Sequence, residues 1–570
     1  MRRLLLILLV LAGIALLAGL AAQYLADDLG GAGDVVIAWH LEQPIVDYAA
    51  RPLLPWGEIV PGEASLIELY RALEAARDDA AVSGVALYIH DARFGIAKAQ
   101  QIRRQLGELR AAGKFVECYL ETAGEGYNGT LGYYVATACE RIHLAPGGDV
   151  NLLGLLADRT FLRGTFDKLK IDPQFLHVGR YKSAVEAYTR SESSEEAAAA
   201  LAALLDDFYS DIVAAIATAR GLDESTVAVL IDGAPYGAEE ALELGLVDAL
   251  AYPDQFDELI DERAGGDPSI LSIERYGRRL SLPRGQNVAI VFVQGVIHRG
   301  HDGIEPWTGE LHVGSRDLGA LLRRLSEDEA TEAVVLRIDS PGGSALASDL
   351  ILREVELLAA EKPVIVSMSD LAASGGYYIA TKARRIVAEP STLTGSIGVF
   401  GGKLVTRRFE SELLGITHDL TKRGDNADIY STQELFTEEQ AARVQARMER
   451  IYDDFVGHVA TGRDMSVEEV LEVAEGRVWT GSAALRIGLV DALGGFEEAL
   501  RLTREELGVA ADARLRLQLY PEPPDLLDYL LGRAQPPLPI RIPEALRALG
   551  DDHFELLELP PALADLASPF

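Results

Sequence analysis

Ser374 stands between an apolar run and a pair of glycines in VIVSMSDLAASGGYY (364–378), and a second glycine pair follows an aspartate in DSPGGS (339–344). A serine at the end of a strand, followed by small residues that open a helix, presents its Oγ outward for attack on a carbonyl carbon. The helix N-terminus then lends positive potential to the oxyanion that develops. Gly342 and Gly343 form a second turn whose backbone N–H groups could reach the same oxygen, so Gly343 and Gly375 together outline an oxyanion hole for acyl transfer. The plain alternative makes Ser374 a helix cap and both glycine pairs ordinary tight turns.

A serine hydroxyl needs a base, which is usually a histidine held by a carboxylate. Of the later histidines, His298, His301 and His312 precede the glycine turn in loop-like sequence, and neither His418 nor His458 belongs to a recognisable motif. Lysine is the other choice. The chain favours arginine, and lysine occurs only at 98, 114, 168, 170, 182, 362, 382, 403 and 422. In VGRYKSAVEAY (178–188), Lys182 has small or apolar neighbours that would suit burial. Burial matters, because at an unperturbed pKa only roughly one lysine in 2,500 is neutral at pH 7. Desolvation lowers such a pKa by up to about 3 to 5 units. The rivals are a solvated surface role for Lys182 and the use of Lys422, in LTKRGD, as the base.

The elements that must position these residues come in two sets. Strand-like VVIAWHL (35–41) and VAIVFVQ (288–294) are each followed by a helix-period pattern, Leu66, Leu69, Tyr70, Leu73 and Leu318, Leu321, Leu322, Leu325. VALYIH (85–90) then matches VVLRID (334–339), GYYVATACERI (132–142) matches GYYIATKARRI (376–386), and GLVDAL appears unchanged at 245–250 and 488–493. Such self-similarity marks a duplication. It predicts two α/β repeats, 34–265 and 286–520, joined by a polar linker containing GDPS and LPRGQ. The Pro-rich residues 521–570 are expected to form a C-terminal extension. The repeats differ where chemistry would sit. The first has HDARFG in place of DSPGGS and Thr130-Leu131 in place of Ser374-Gly375, while the second has DNADI (425–429) where the first has Lys182. A serine from one repeat and a lysine from the other would make a composite site.

The 570 residues are 48% hydrophobic and carry a formal charge of -35, with an isoelectric point near 4.7. That charge argues against nucleic acid or anionic lipid as a partner of the main body. Arg2 and Arg3 precede an uncharged apolar stretch at 4–22, long enough to span a bilayer. With Asp27 and Asp28 behind it, residues 1–25 read as a membrane anchor that leaves the body outside the cytoplasm, a cleaved signal peptide being the rival. Cys118 and Cys139 lie in apolar surroundings without metal-ligand spacing. They read as buried thiols, with one disulfide the alternative in an oxidising compartment.

Taken together, ASGGYY, DSPGGS, TGSIGVF (394–400) and GRYKSAVE resemble the signal peptide peptidase A (protease IV) family, in its long tandem-repeat bacterial form. The resemblance covers nearly the whole chain. It implies two tandem crotonase/Clp-protease-like domains behind an N-terminal transmembrane helix, assembled as a bowl-shaped homotetramer on the extracytoplasmic side of the bacterial inner membrane. It also implies a serine endopeptidase with Ser374 as nucleophile, Lys182 as general base and Ser396 supporting the lysine amine. Neither metal nor organic cofactor is expected, and the implied substrates are cleaved signal peptides and other hydrophobic peptides. The alternatives are a crotonase-like acyl-CoA hydratase or thioesterase, and a non-catalytic membrane scaffold.

Overall fold

The computed structural model describes residues 34–42, 44–49, 64–90, 93–280, 285–304 and 311–522. The expected anchor at 1–25 and nearly all of the Pro-rich extension lie outside them. Among the described residues no helix is long and apolar enough to cross a membrane.

Two sheets form the body. The first is wholly parallel, with its strands in the order Ser269–Ser272, Val35–Leu41, Val82–Ile89, Phe115–Leu120, Arg141–Leu144 and Ala249–Leu250. The second repeats that order with Leu515–Tyr520, Gln286–Gln294, Ala333–Ser340, Val364–Ala373, Arg385–Ala388 and Ala492–Leu493. It then adds Leu393–Gly395, parallel to the end of Val364–Ala373, and Val478–Thr480 antiparallel to that. Parallel strands covered by helices on both faces need near-continuous apolar sequence, and VAIVFV is buried throughout. The helices Leu66–Asp78 and Ser315–Glu327 occupy equivalent places; each buries its predicted apolar stripe, apart from Leu321, which is only partly buried.

The structure differs from the sequence reading at the junction. Residues expected to be linker instead supply the edge strand Ser269–Ser272, and Ser272 caps a helix, Ile273–Arg279, that packs on Leu66–Asp78. The short SILS run between GDP and a serine cap is too brief to show strand periodicity. The cysteines also differ, since Cys118 and Cys139 are joined in a disulfide with Cα atoms 5.9 Å apart. The strand Phe115–Leu120 and the turn entering Arg141–Leu144 are neighbours in the sheet, which brings the pair within bridging range.

The two GLVDAL copies make equivalent contacts. In each, the leucine carbonyl accepts a buried tyrosine O–H, Tyr133 to Leu246 at 2.7 Å and Tyr377 to Leu489 at 2.8 Å. The aspartate accepts a two-pronged arginine from the long helix above it, Arg220 on Asp248 and Arg463 on Asp491. Each aspartate also accepts a strand N–H, from Ile142 or Ile386.

Among the contacts between the repeats, two bear on the site. Asp172–Val178 of the first pairs antiparallel with Val399–Val405 of the second, and the helix Ile96–Ala111 of the first packs against the strand Val364–Ala373.

Candidate active site

Ser374 ends the strand Val364–Ala373 and precedes the helix Gly375–Ala380. Its backbone sits at φ 53°, ψ -117°, and its side chain makes no capping bond. A non-glycine residue held there costs of order 1 to 3 kcal/mol, and such strain persists where surrounding structure enforces it. The strand's pairing with Leu393–Gly395 and the bond from Ser374 N–H to the Gly395 carbonyl, 2.9 Å, do so here. The helix-cap reading of Ser374 therefore fails.

Lys182 arrives from the other repeat. Four residues after the inter-repeat ribbon, its loop is tied by the Tyr181 N–H donating to the Glu475 carbonyl at 2.8 Å. The same short loop takes the Ser396 N–H on the Arg477 carbonyl, 2.8 Å, and donates its own Gly476 N–H to Ile397, 2.7 Å. Residues 475–477 thus clasp the lysine loop and the TGSIG loop together. Gly476 lies at φ +78°, and a Cβ there would fall 2.6 Å from the backbone N and Cβ of Lys182. The sequence reading missed this loop, since an isolated Glu-Gly before a strand carries no recognisable signal.

The predicted residues converge. Lys182 Nζ lies 3.0 Å from Ser374 Oγ, 2.9 Å from Ser396 Oγ and 3.0 Å from the Ser396 carbonyl oxygen. A neutral amine has two N–H donors and one lone pair. Donating both protons to Ser396 leaves the lone pair to accept the Ser374 O–H. Lys182 is 5% exposed, and burial alone pushes its amine down to about 7. Among the described residues no carboxylate forms an ion pair with it.

The glycine turn lies beside the serine. Gly342 and Gly343 have φ +95° and +148°, and a Cβ on Gly342 would collide with Gly375 N. The Gly342 N–H is occupied, donating to Ser340 Oγ at 3.1 Å. Neither the Gly343 nor the Gly375 N–H finds an acceptor among the described residues. Because the helix at Gly375 has only six residues, its dipole contributes little, and two free amides are the more substantial donors to an oxyanion.

The rivals are placed elsewhere. Lys422 is exposed and paired with Asp428 at 2.7 Å; His301 is bound to Asp317 at 2.8 Å, and His418 to Glu410. In the first repeat, Thr130 is buried and its hydroxyl accepts the Gly154 N–H at 3.0 Å, a structural bond in the place equivalent to Ser374.

The model of peptidase family S49 matches residues 120–265 and 356–510, one stretch containing Lys182 and the other Ser374. A serine protease from Arabidopsis thaliana chloroplasts (SPPA) is 34% identical over 81% of this chain and 69% of that protein. Protease 4 of Salmonella typhi is 33% identical over 85% of this chain and 79% of its own length. A putative signal peptide peptidase of Enterococcus faecium is 35% identical over 36% of this chain and 61% of its own. Among solved structures, a ClpP1 mutant from Listeria monocytogenes covers 37% of this chain and 94% of its own, at 15% identity and a TM-score of 0.25, too low to carry an argument.

Proposed function

The chain belongs to peptidase family S49 and is a serine-type peptidase, and from that premise we propose that it cleaves peptides with Ser374 as nucleophile and Lys182 as general base. The observation that carries this reading is a buried amine that has no carboxylate partner among the described residues and lies 3.0 Å from the hydroxyl of a strained serine.

As Ser374 Oγ attacks the substrate carbonyl carbon, its proton passes to Lys182 Nζ. The negative oxygen of the tetrahedral intermediate is held by the N–H groups of Gly343 and Gly375. Collapse expels the amine half of the substrate, which takes the proton from the Lys182 ammonium and leaves an acyl-serine. Lys182 then takes a proton from water, the resulting hydroxide attacks the ester, and the serine is restored. Ser396 holds the amine so that its lone pair faces the Ser374 hydroxyl in the first half and the attacking water in the second. This chemistry calls for neither metal nor organic cofactor.

Substrates are proposed to be hydrophobic segments such as cleaved signal peptides, in keeping with the apolar stretch at 4–22 that would hold the body at a membrane. The Cys118–Cys139 disulfide suits an extracytoplasmic, oxidising compartment. Two crotonase/Clp-like repeats assembled as a tetramer complete the proposal. The test is the full chain in phospholipid vesicles with a synthetic signal peptide. The account expects peptide fragments, none with Ser374→Ala, and no turnover of an acyl-CoA. Acyl-CoA turnover without peptide cleavage would overturn it.

A further inference from the structure

The strand Val364–Ala373 does not run straight to Ser374. It pairs with Ala333–Ser340 in register as far as Ile338 opposite Met368, and the pairing resumes only at Ser340 opposite Ala372. Ser369, Asp370 and Leu371 therefore stand against Asp339 alone. Such a bulge bends and twists a strand, and it re-aims whatever follows. Here Ser374 follows on one strand and the Gly342-Gly343 turn on the other, so the bulge sets the relation between nucleophile and oxyanion donors.

A lysine from the first repeat plugs it. Lys98, near the start of the helix Ile96–Ala111, is 5% exposed. Its Nζ donates to Asp339 Oδ2 and to Asp370 Oδ2, both at 2.6 Å, and lies 3.7 Å from Asp47 Oδ2. Its backbone N–H donates to Asp370 Oδ1 at 3.1 Å. Asp339 Oδ1 reaches across the bulge to accept the Leu371 N–H, 3.1 Å. Both aspartates are thus held at both oxygens, and the helix start fits closely, since a Cβ on Gly95 would collide with the Asp370 carboxylate. Behind them, the buried Arg337 joins Asp47 at 2.7 Å, Ser369 Oγ at 3.0 Å and Gln101 at 3.3 Å.

A buried charge cluster is weak evidence for stability, because desolvation offsets the attraction. Its placement has a more specific meaning. Lys98 and Lys182 belong to the same repeat, and both reach into the other repeat, Lys98 to Asp370 four residues before Ser374 and Lys182 to Ser374 itself. We infer that Lys98 is a positioning residue: by bridging Asp339 and Asp370 it locks the bulge, so that Ser374 and the glycine turn face Lys182. This rests on Ser374 and Lys182 being the reacting pair.

Three readouts on the full chain test it: kcat and KM on a peptide substrate, the rate at which a small fluorophosphonate labels Ser374, and the thermal midpoint. Lys98→Met is expected to lower kcat by on the order of 100-fold, the effect of misplacing reacting groups by about 1 Å. KM should move by less than about threefold, and labelling should slow in parallel with kcat. Because removing one cation strands buried carboxylates, the triple variant Lys98→Met/Asp339→Asn/Asp370→Asn is made as well. It should recover the thermal midpoint but not kcat. Recovery of kcat along with stability, or a folded Lys98→Met with kcat within about threefold of the unmutated chain, would show that Lys98 only neutralises charge. If Ser374→Ala still cleaves in the same assay, it is the nucleophile assignment that fails.

Discussion

Two buried lysines share one interface and are pushed in opposite directions. Burial alone would lower Lys98, but Asp339, Asp370 and Asp47 outweigh it and hold the ammonium well above the usual lysine value; Lys182 has no such partners among the described residues and is pushed down to about 7. The difference lies in the neighbours. For Lys182 the unfolded chain binds the proton more tightly, so the folded state carries a penalty fully present below about pH 7, fading as pH rises toward the ordinary lysine value. Lys182→Met should therefore raise the thermal midpoint at pH 6, and the gap from the unmutated protein should narrow by pH 9. A gap that widens with pH would mean that the folded state holds the amine above, not below, its ordinary value. Ser396→Ala removes one of two acceptors for the amine while its carbonyl remains. It should lower kcat by about tenfold, the value of roughly one hydrogen bond, with KM little changed. Steady-state kinetics on one peptide decides this.

Most of the elements that carry these side chains were legible in the sequence, because the duplication provided two readings of each strand and helix. Unequal residues at equal places, Ser374 against Thr130 and Lys182 against DNADI, pointed to the site. What stayed hidden depends on close approach between distant segments. Lys98 appeared only as one lysine among several, because nothing local shows that the start of its helix docks on a bulge in another repeat. Gly476 gave no sign because its role is the space it leaves for Lys182. The edge strand Ser269–Ser272 was hidden by its brevity. Gly476→Ala should thus lower kcat strongly while the chain stays folded, since the added Cβ and its positive φ displace the lysine loop. Unchanged kinetics would remove the 475–477 clasp from the account. Arg463→Met should lower stability by about 2 to 3 kcal/mol, through lost charge-assisted bonds to Asp491, as measured by chemical denaturation.

At the scale of the molecule, the proposed site is divided between the two repeats of a single chain. Serine, glycine turn and Ser396 come from the second repeat, and both Lys182 and Lys98 come from the first. Because Lys182 and Ser374 meet within one chain, mixing Lys182→Ala chains with Ser374→Ala chains should restore no activity. Recovery toward a quarter or more of the unmutated rate would mean that the pair forms between neighbours in an assembly. The most direct test of the central claim is kcat/KM for a fluorogenic peptide with an apolar P1 residue, measured from pH 5.5 to 9 with the full chain, Ser374→Ala and Lys182→Ala. The account predicts that the unmutated activity rises with pH through a midpoint near 7, as the Lys182 amine loses its proton. Both variants should fall by on the order of a thousandfold or more across the range while staying folded. A Lys182→Ala chain that cleaves at a comparable rate with the same pH midpoint would contradict it.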